Sequence, residues 1–367
     1  MTRKNDYTPE TVSHPGVTLR EKLGEIGMSQ KEFAVRTGKP ERTIVNVINA
    51  KSSLTPDMAV RFESVLQIPA TFWLKRQQHY DEAIARMRRD ELLADASRWA
   101  AMFPVRKMAS LGWLRLPQHK AEYARLLLEF FSVSSPEAWQ GYYMSRKLKV
   151  DFRISLAHFS DPHAISAWLR QGELDAKKLG GAPYSRKKFV AALPEIKRVM
   201  ANHPDDFFWL LQDICLHAGV KVVYTPCLPN APLHGSTRWL HDDTPLIQLS
   251  ARYRQNDRFW FTFFHEAGHI LLHGTKHVSI ESAEGEGGAD EKESEADAFA
   301  VKWTFSEEEE RVVLRYGSLR DDDIIAFATR FGTHPAMIVG RFQHRGTLPY
   351  SCGRKFFKPV QLDKLES

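Results

Sequence analysis

The sequence predicts a mainly α chain with a small sheet, and two observations carry the helical part of that expectation. Between residues 19 and 77, apolar side chains recur at helical spacing between strong capping residues. Residues 259–273 form an apolar run interrupted only by His265, Glu266, His269 and His273. With 367 residues, the chain has room for two or three domains. The expected organisation is an N-terminal five-helix domain at 14–80, a helical middle region at 81–204, an α+β domain at 205–350 and a tail at 351–367.

Leu19, Leu23 and Ile26 precede Gly27 at helical spacing, which predicts a first helix with these three inward. Ser29-Gln30-Lys31-Glu32 reads as a capping box that opens a second helix, and Gly38 closes it. A third begins at Pro40 and runs through Ile48 with Ile44, Val47 and Ile48 inward. Thr55-Pro56 caps a fourth through Leu66, and a fifth includes residues 72–77. Two short helices joined by a tight glycine-containing turn are the helix-turn-helix pattern, whose second helix enters the DNA major groove. The plainer alternative is that exposed Arg and Asn on a short helix are simply solvated.

The middle region is helical in flavour, with apolar residues at helical spacing over 122–131 and 164–169, and with Trp113, Trp139 and Trp168 as expected core anchors. Breaks at 132–136 and 180–183 separate its helices. It reads equally as a sensor, a dimerisation element or a spacer.

The third stretch carries chemistry. In His265-Glu266-x-x-His269 the histidines are four apart, so on a helix both face one metal ion while Glu266 stands beside its open position. Phe259, Trp260, Phe261, Phe263, Phe264, Ile270, Leu271 and Leu272 make that helix apolar almost all round. Ionisable groups buried there need a metal or a hydrogen-bonded partner, and a satisfied structural pair is the alternative. A catalytic zinc takes three protein ligands. On a helix over 293–300, residues 293, 296, 297 and 300 share a face, and Ala296 and Ala300 let it press against the first helix. Glu293 is then the third ligand, with Glu295 second choice, and Asp297 accepts the other ring N–H of a ligand histidine. The alternative is a solvated helix start, where acids are favoured anyway. His273 and His277 are expected to cap or hydrogen-bond. Tyr253, His344 and Tyr350 are the available oxyanion donors by residue type. The acid- and glycine-rich segment 281–292 is either a lid or a plain connector.

Residues 207–344 resemble the ImmA/IrrE family of zinc metallopeptidases. The resemblance rests on 219–223 and 245–250 as strands, on 263–273, on 293–300, and on Ile338-Val339-Gly340-Arg341-Phe342-Gln343 as a closing motif. It implies an α+β zincin fold with a gluzincin-like site: Zn2+ on His265, His269 and Glu293, with Glu266 as general base. One departure is Val301-Lys302-Trp303-Thr304-Phe305, where relatives carry a Leu-Leu-Met-Pro-like run. Residues 19–78 resemble the Xre-type repressor domain, with 53–80 similar to HigA-type antitoxins. This resemblance implies Gln30 at the DNA backbone, Glu41, Arg42, Thr43 and Asn46 at base edges, and Asn49 and Lys51 at phosphates. Arg42 would then pair with guanine and Asn46 with adenine.

The net charge of +6 mildly favours a polyanionic partner, and three cysteines are neither a disulfide framework nor a zinc ribbon. No signal peptide or membrane-length apolar run is read, so the expected compartment is the cytoplasm. Together these features predict a homodimeric, operator-binding transcriptional regulator carrying a zinc endopeptidase whose protein substrate is a repressor, in cis or in trans. The alternative is an antitoxin or autoregulator that binds its operator and a toxin, with a structural or inactive metal site. A third reading is a plain peptidase with a degenerate DNA-binding helix.

Overall fold

The computed structural model describes residues 12–144, 161–240, 243–250, 252, 254–274, 279–282, 291–316 and 319–362. The chain divides into two compact units, Met1–Asp95 and Ala96–Ser367.

The first unit holds α1 (Pro15–Glu25), α2 (Gln30–Thr37), α3 (Glu41–Ile48), α4 (Pro56–Leu66) and α5 (Ala70–Asp95). Their apolar stripes meet in one core, where Leu19, Phe33, Ile44, Val47, Phe62 and Trp73 are fully buried. Local chemistry sets the ends. Ser29 Oγ accepts from the Glu32 N–H at 3.1 Å, Gly38 closes α2 in the left-handed region, and Thr55 Oγ1 accepts from the Met58 N–H ahead of α4. Three expectations change. Glu32 does not complete the capping box but pairs with Arg36 at 2.6 Å. Ile26 is 52% exposed, because it caps α1 instead of lying on its inner face. The expected boundary after residue 80 falls inside α5, which runs on to Asp95 because 78–95 contains no glycine or proline to stop it.

The second unit begins with α6 (Ser97–Ala100), α7 (Val105–Ser110), α8 (Tyr123–Phe131), α9 (Pro136–Tyr143), α10 (Pro162–Lys178), α11 (Arg186–Asn202) and α12 (Phe207–His217). Strands β1 (Lys221–Tyr224), β2 (Leu233–Trp239) and β3 (Pro245–Leu249) follow, then α13 (Asn256–His273), β4 (Ser279–Ser282), α14 (Glu291–Thr304), α15 (Glu307–Leu314), α16 (Asp321–Phe331) and α17 (Pro335–His344). The sheet order is β1-β3-β2-β4, with β1 parallel to β3 and β2 antiparallel to both β3 and β4.

Every residue of β3 is buried, so the sheet needs cover on both faces. Val222, Ile247 and Leu249 join the main core with α13, while Val223 and Leu246 pack with Ala176 of α10. On the α10 side, Gln248 Nε2 donates to the Trp168 carbonyl at 2.7 Å, and Arg238 pairs with Glu173 and donates to Gln248 Oε1. Residues 162–178, expected in a separate middle region, therefore form a layer of the sheet domain. Trp139 and Trp168 are buried as expected, whereas Trp113 is only half-buried.

Of the expected tail, the described residues 351–362 contribute to the core. Phe356, Val360 and Leu362 are buried, and the Lys358 N–H donates to Asn256 Oδ1 at 3.1 Å, tying this segment to the start of α13. Among the described residues, no helix is long and apolar enough to cross a membrane.

Candidate metal centre

Helix α13 buries Phe259, Trp260, Phe263, Phe264 and Ile270, and with them His265 (3% exposed), Glu266 (0%) and His269 (0%). Leu272 departs from the expected apolar shell, at 48% exposed near the helix end. Two glycines let neighbours approach the polar groups. A Cβ on Gly268 would lie 3.2 Å from Phe299 Cβ and 3.3 Å from Ala296 Cα, so this glycine lets α14 press against the turn between the histidines. A Cβ on Gly235 would lie 2.7 Å from Glu266 Oε1 and 2.8 Å from Thr262 Cγ2, so β2 passes directly over the Glu266 side chain.

Three ligand-type atoms converge. His265 Nε2 and His269 Nε2 are 3.0 Å apart, and Glu293 brings Oε2 to 3.1 Å from the first and Oε1 to 3.5 Å from the second. Asp297, one turn after Glu293, places Oδ1 at 2.9 Å from His265 Nδ1. An ionised carboxylate only accepts, so Nδ1 carries the proton and His265 Nε2 keeps its lone pair. That lone pair faces a carboxylate and a second imidazole nitrogen, an acceptor-rich arrangement that a cation relieves. Ligands about 2.0–2.1 Å from a tetrahedral zinc stand roughly 3.3 Å apart, the spacing that the three observed separations bracket. The residues present therefore fit a zinc ion.

The protonation states agree. Burial pushes His269 below its ordinary value, keeping the ring neutral. Burial would raise Glu293, but its closeness to the His265 and His269 rings outweighs it and holds the carboxyl well below the usual range. Neutral imidazole and ionised carboxylate are the forms that bind metal.

The sequence did not reveal how His273 and Glu295 are used. His273 Nδ1 lies 2.9 Å from His269 Nδ1, and its Nε2 lies 2.9 Å from Glu295 Oε2, so the second-choice ligand reaches the third histidine instead. The fourfold spacing of 265, 269 and 273 was the available signal. His344 is exposed at the end of α17, and Tyr350 is 68% exposed. Tyr253, His277 and most of the 281–292 segment lie outside the described residues.

In the first unit, Gln30 opens α2 and is exposed, as are Glu41, Arg42, Asn49 and Lys51, while Thr43 and Asn46 are half-buried. On α3, Arg42 and Asn46 lie opposite Ile44, Val47 and Ile48, which face the core, and Glu41 and Thr43 flank that buried face. Asn49 Oδ1 accepts from Arg20 Nη2 at 2.9 Å.

Comparison with known proteins places both parts. Residues 19–73 match a family model described as helix-turn-helix, and residues 215–342 match a peptidase-family model described as the IrrE N-terminal-like domain. Virulence-associated protein A of Dichelobacter nodosus is 32% identical over 69 residues, 18% of this chain and 68% of its own length. A protein of Escherichia coli (strain K12), named Uncharacterized HTH-type transcriptional regulator YddM, is 31% identical over 71 residues, 19% of this chain and 76% of its own. Among solved structures, an addiction module antidote protein of the HigA family from Coxiella burnetii is 31% identical, covering 21% of this chain and 85% of its own, with TM-score 0.21. A putative antidote protein of a plasmid maintenance system from Nostoc punctiforme is 32% identical, covering 22% and 87%, also at TM-score 0.21. The chain thus belongs, through its N-terminal unit, to the Xre-like helix-turn-helix family, and residues 215–342 of its C-terminal unit are similar to the IrrE N-terminal-like peptidase family.

Proposed function

We propose that this protein is a cytoplasmic DNA-binding regulator whose second unit is a zinc-dependent endopeptidase cleaving a repressor or related regulatory protein, in cis or in trans. The observation that carries the reading is the convergence of His265, His269 and Glu293, with Glu266 buried between the two histidines on the same helix. These three residues would hold zinc, and Asp297 would orient His265. A bound zinc supplies Lewis-acid polarisation of the scissile carbonyl. Glu266 accepts a proton from the attacking water and returns it to the leaving amine. The β2 backbone over its side chain holds that carboxyl in place.

In the first unit, Arg42 and Asn46 read base edges with Glu41 and Thr43 beside them, while Gln30, Asn49 and Lys51 contact the backbone. Two copies of the chain read paired half-sites. The test is incubation of the zinc-loaded chain with operator-bound repressors, its own N-terminal unit included, with fragments followed by mass spectrometry. Wild type cleaves; Glu266→Gln keeps zinc and loses cleavage. Full operator repression and toxin neutralisation by both proteins, with cleavage by neither, would replace this reading with an antitoxin whose metal is structural.

A further inference from the structure

Helix α13 carries a third histidine beyond the two that converge with Glu293, and its side chain is only 4% exposed. His273 lies between His269 Nδ1 and Glu295 Oε2, at 2.9 Å from each. The direction of these two hydrogen bonds follows from the chemistry of the end group. Glu295 is 53% exposed and, as a carboxylate, only accepts. Nε2 of His273 therefore carries a proton, and in the neutral ring Nδ1 is left with its lone pair. That lone pair accepts from His269 Nδ1, which places the proton of His269 on Nδ1 and the lone pair on Nε2. Nε2 is the atom that faces His265 and Glu293.

We infer that His273 and Glu295 are positioning residues for the metal centre: a carboxylate–imidazole relay that fixes the tautomer and ring orientation of His269. The inference rests on the zinc reading above and extends it. The two ligand histidines are thus set by different devices, His265 by a direct carboxylate on Asp297 and His269 through an interposed ring. The interposed ring is a matter of position. Glu295 lies two residues after Glu293, about 200° around α14 on helical geometry, so it points away from the ligand side. A histidine one further turn along α13 closes the gap.

The test is zinc affinity, measured on the full chain by competition with a chromophoric chelator and without reference to activity. It compares wild type with Glu295→Ala, Glu295→Gln, His273→Phe and, as the ligand-loss reference, His265→Ala. The relay predicts that Glu295→Ala and His273→Phe each weaken zinc binding by about 10- to 100-fold. Glu295→Gln, whose amide oxygen still accepts, recovers most of that loss. It further predicts an altered visible absorption band in the cobalt-substituted Glu295→Ala protein and an unchanged melting temperature for its metal-free form. Affinities within about twofold of wild type in Glu295→Ala and His273→Phe, while His265→Ala abolishes binding, would overturn the relay and leave the zinc reading standing. A melting temperature lowered in the metal-free Glu295→Ala protein, with affinity unchanged, would assign the pair a structural role and also overturn it. A folded wild type that takes up no zinc would overturn the zinc reading, and the relay with it.

Discussion

Asp297 Oδ1 lies 2.9 Å from His265 Nδ1, so the helix that brings Glu293 to the centre also fixes the ring of a histidine on α13. One turn of α14 thus does two jobs, offering a carboxylate oxygen and setting the tautomer of its neighbour. Removing the outer carboxylate while leaving the ligands in place should lower zinc affinity by roughly 10- to 100-fold. Asp297→Ala, titrated against a competing chelator, checks this. Affinity equal to wild type would mean that the ring is held by packing alone.

Gly235 is where β2 crosses Glu266. A methyl group there would meet Glu266 Oε1 and Thr262 Cγ2, both under 3 Å away and both buried on α13. Gly235→Ala should destabilise the fold by about 1–3 kcal/mol, as overpacking of a filled interior does. Gly141→Ala in α9 is the control, because a Cβ at that position meets nothing within 4 Å. Its expected effect is a gain of about 0.5–1 kcal/mol from helix propensity. Urea midpoints for the two variants should move in opposite directions.

Acid should loosen the second unit through two buried histidines away from the metal centre. His203 is pushed down to about 4 by burial and by the charges of His334 and Lys358, and His334 to about 4 by burial and Lys358. The folded values lie below the ordinary 6.5. The unfolded chain therefore binds more protons, and the stability present above pH 6.5 is lost as pH falls toward 4. At pH 5 the loss should be on the order of 2 kcal/mol per histidine. His334 Nδ1 accepts from the Ala336 N–H at the start of α17, a role that asparagine can fill. His334→Asn should keep the fold at pH 7 and flatten the slope of urea midpoint against pH. An unchanged slope would remove His334 as a source of acid sensitivity.

Arg42 and Lys51 should separate by the kind of DNA contact each makes. Arg42→Ala is expected to cost about 1–3 kcal/mol of operator affinity and to relax preference at one base pair. Lys51→Ala should weaken binding uniformly across sequences and reduce the salt slope by about 1. Filter-binding or anisotropy titrations at several salt concentrations distinguish the two patterns. Identical salt slopes for wild type and both variants would count against α3 and the turn that follows it as the DNA-contacting element.

What could be read from the sequence was mostly what local chemistry decides. Ser29, Gly38 and Thr55-Pro56 mark helix ends within a few residues of themselves, so α2 to α4 were legible with their limits. The 265, 269 pair and the 293, 297 pair were legible because helical spacing alone puts each on one face. The link from His273 to Glu295 was not, since it exists only once α13 and α14 are packed side by side. Strand β2 was missed for a different reason. Its sequence Leu233-His-Gly-Ser-Thr-Arg-Trp239 lacks alternating apolar residues, and its buried Ser236, Thr237 and Arg238 donate hydrogen bonds to other elements. The role of α10 was hidden likewise, because covering the second face of a fully buried strand is a demand of the sheet, not of the helix's own pattern.

The most direct test of the zinc centre is metal content by mass spectrometry on purified wild type beside His265→Ala and Glu293→Ala. About one zinc per chain in wild type, lost in both variants, is the result expected of a structural or catalytic site built on these residues. A well-folded wild type without zinc, or zinc retained at full occupancy when Glu293 is replaced, would contradict it.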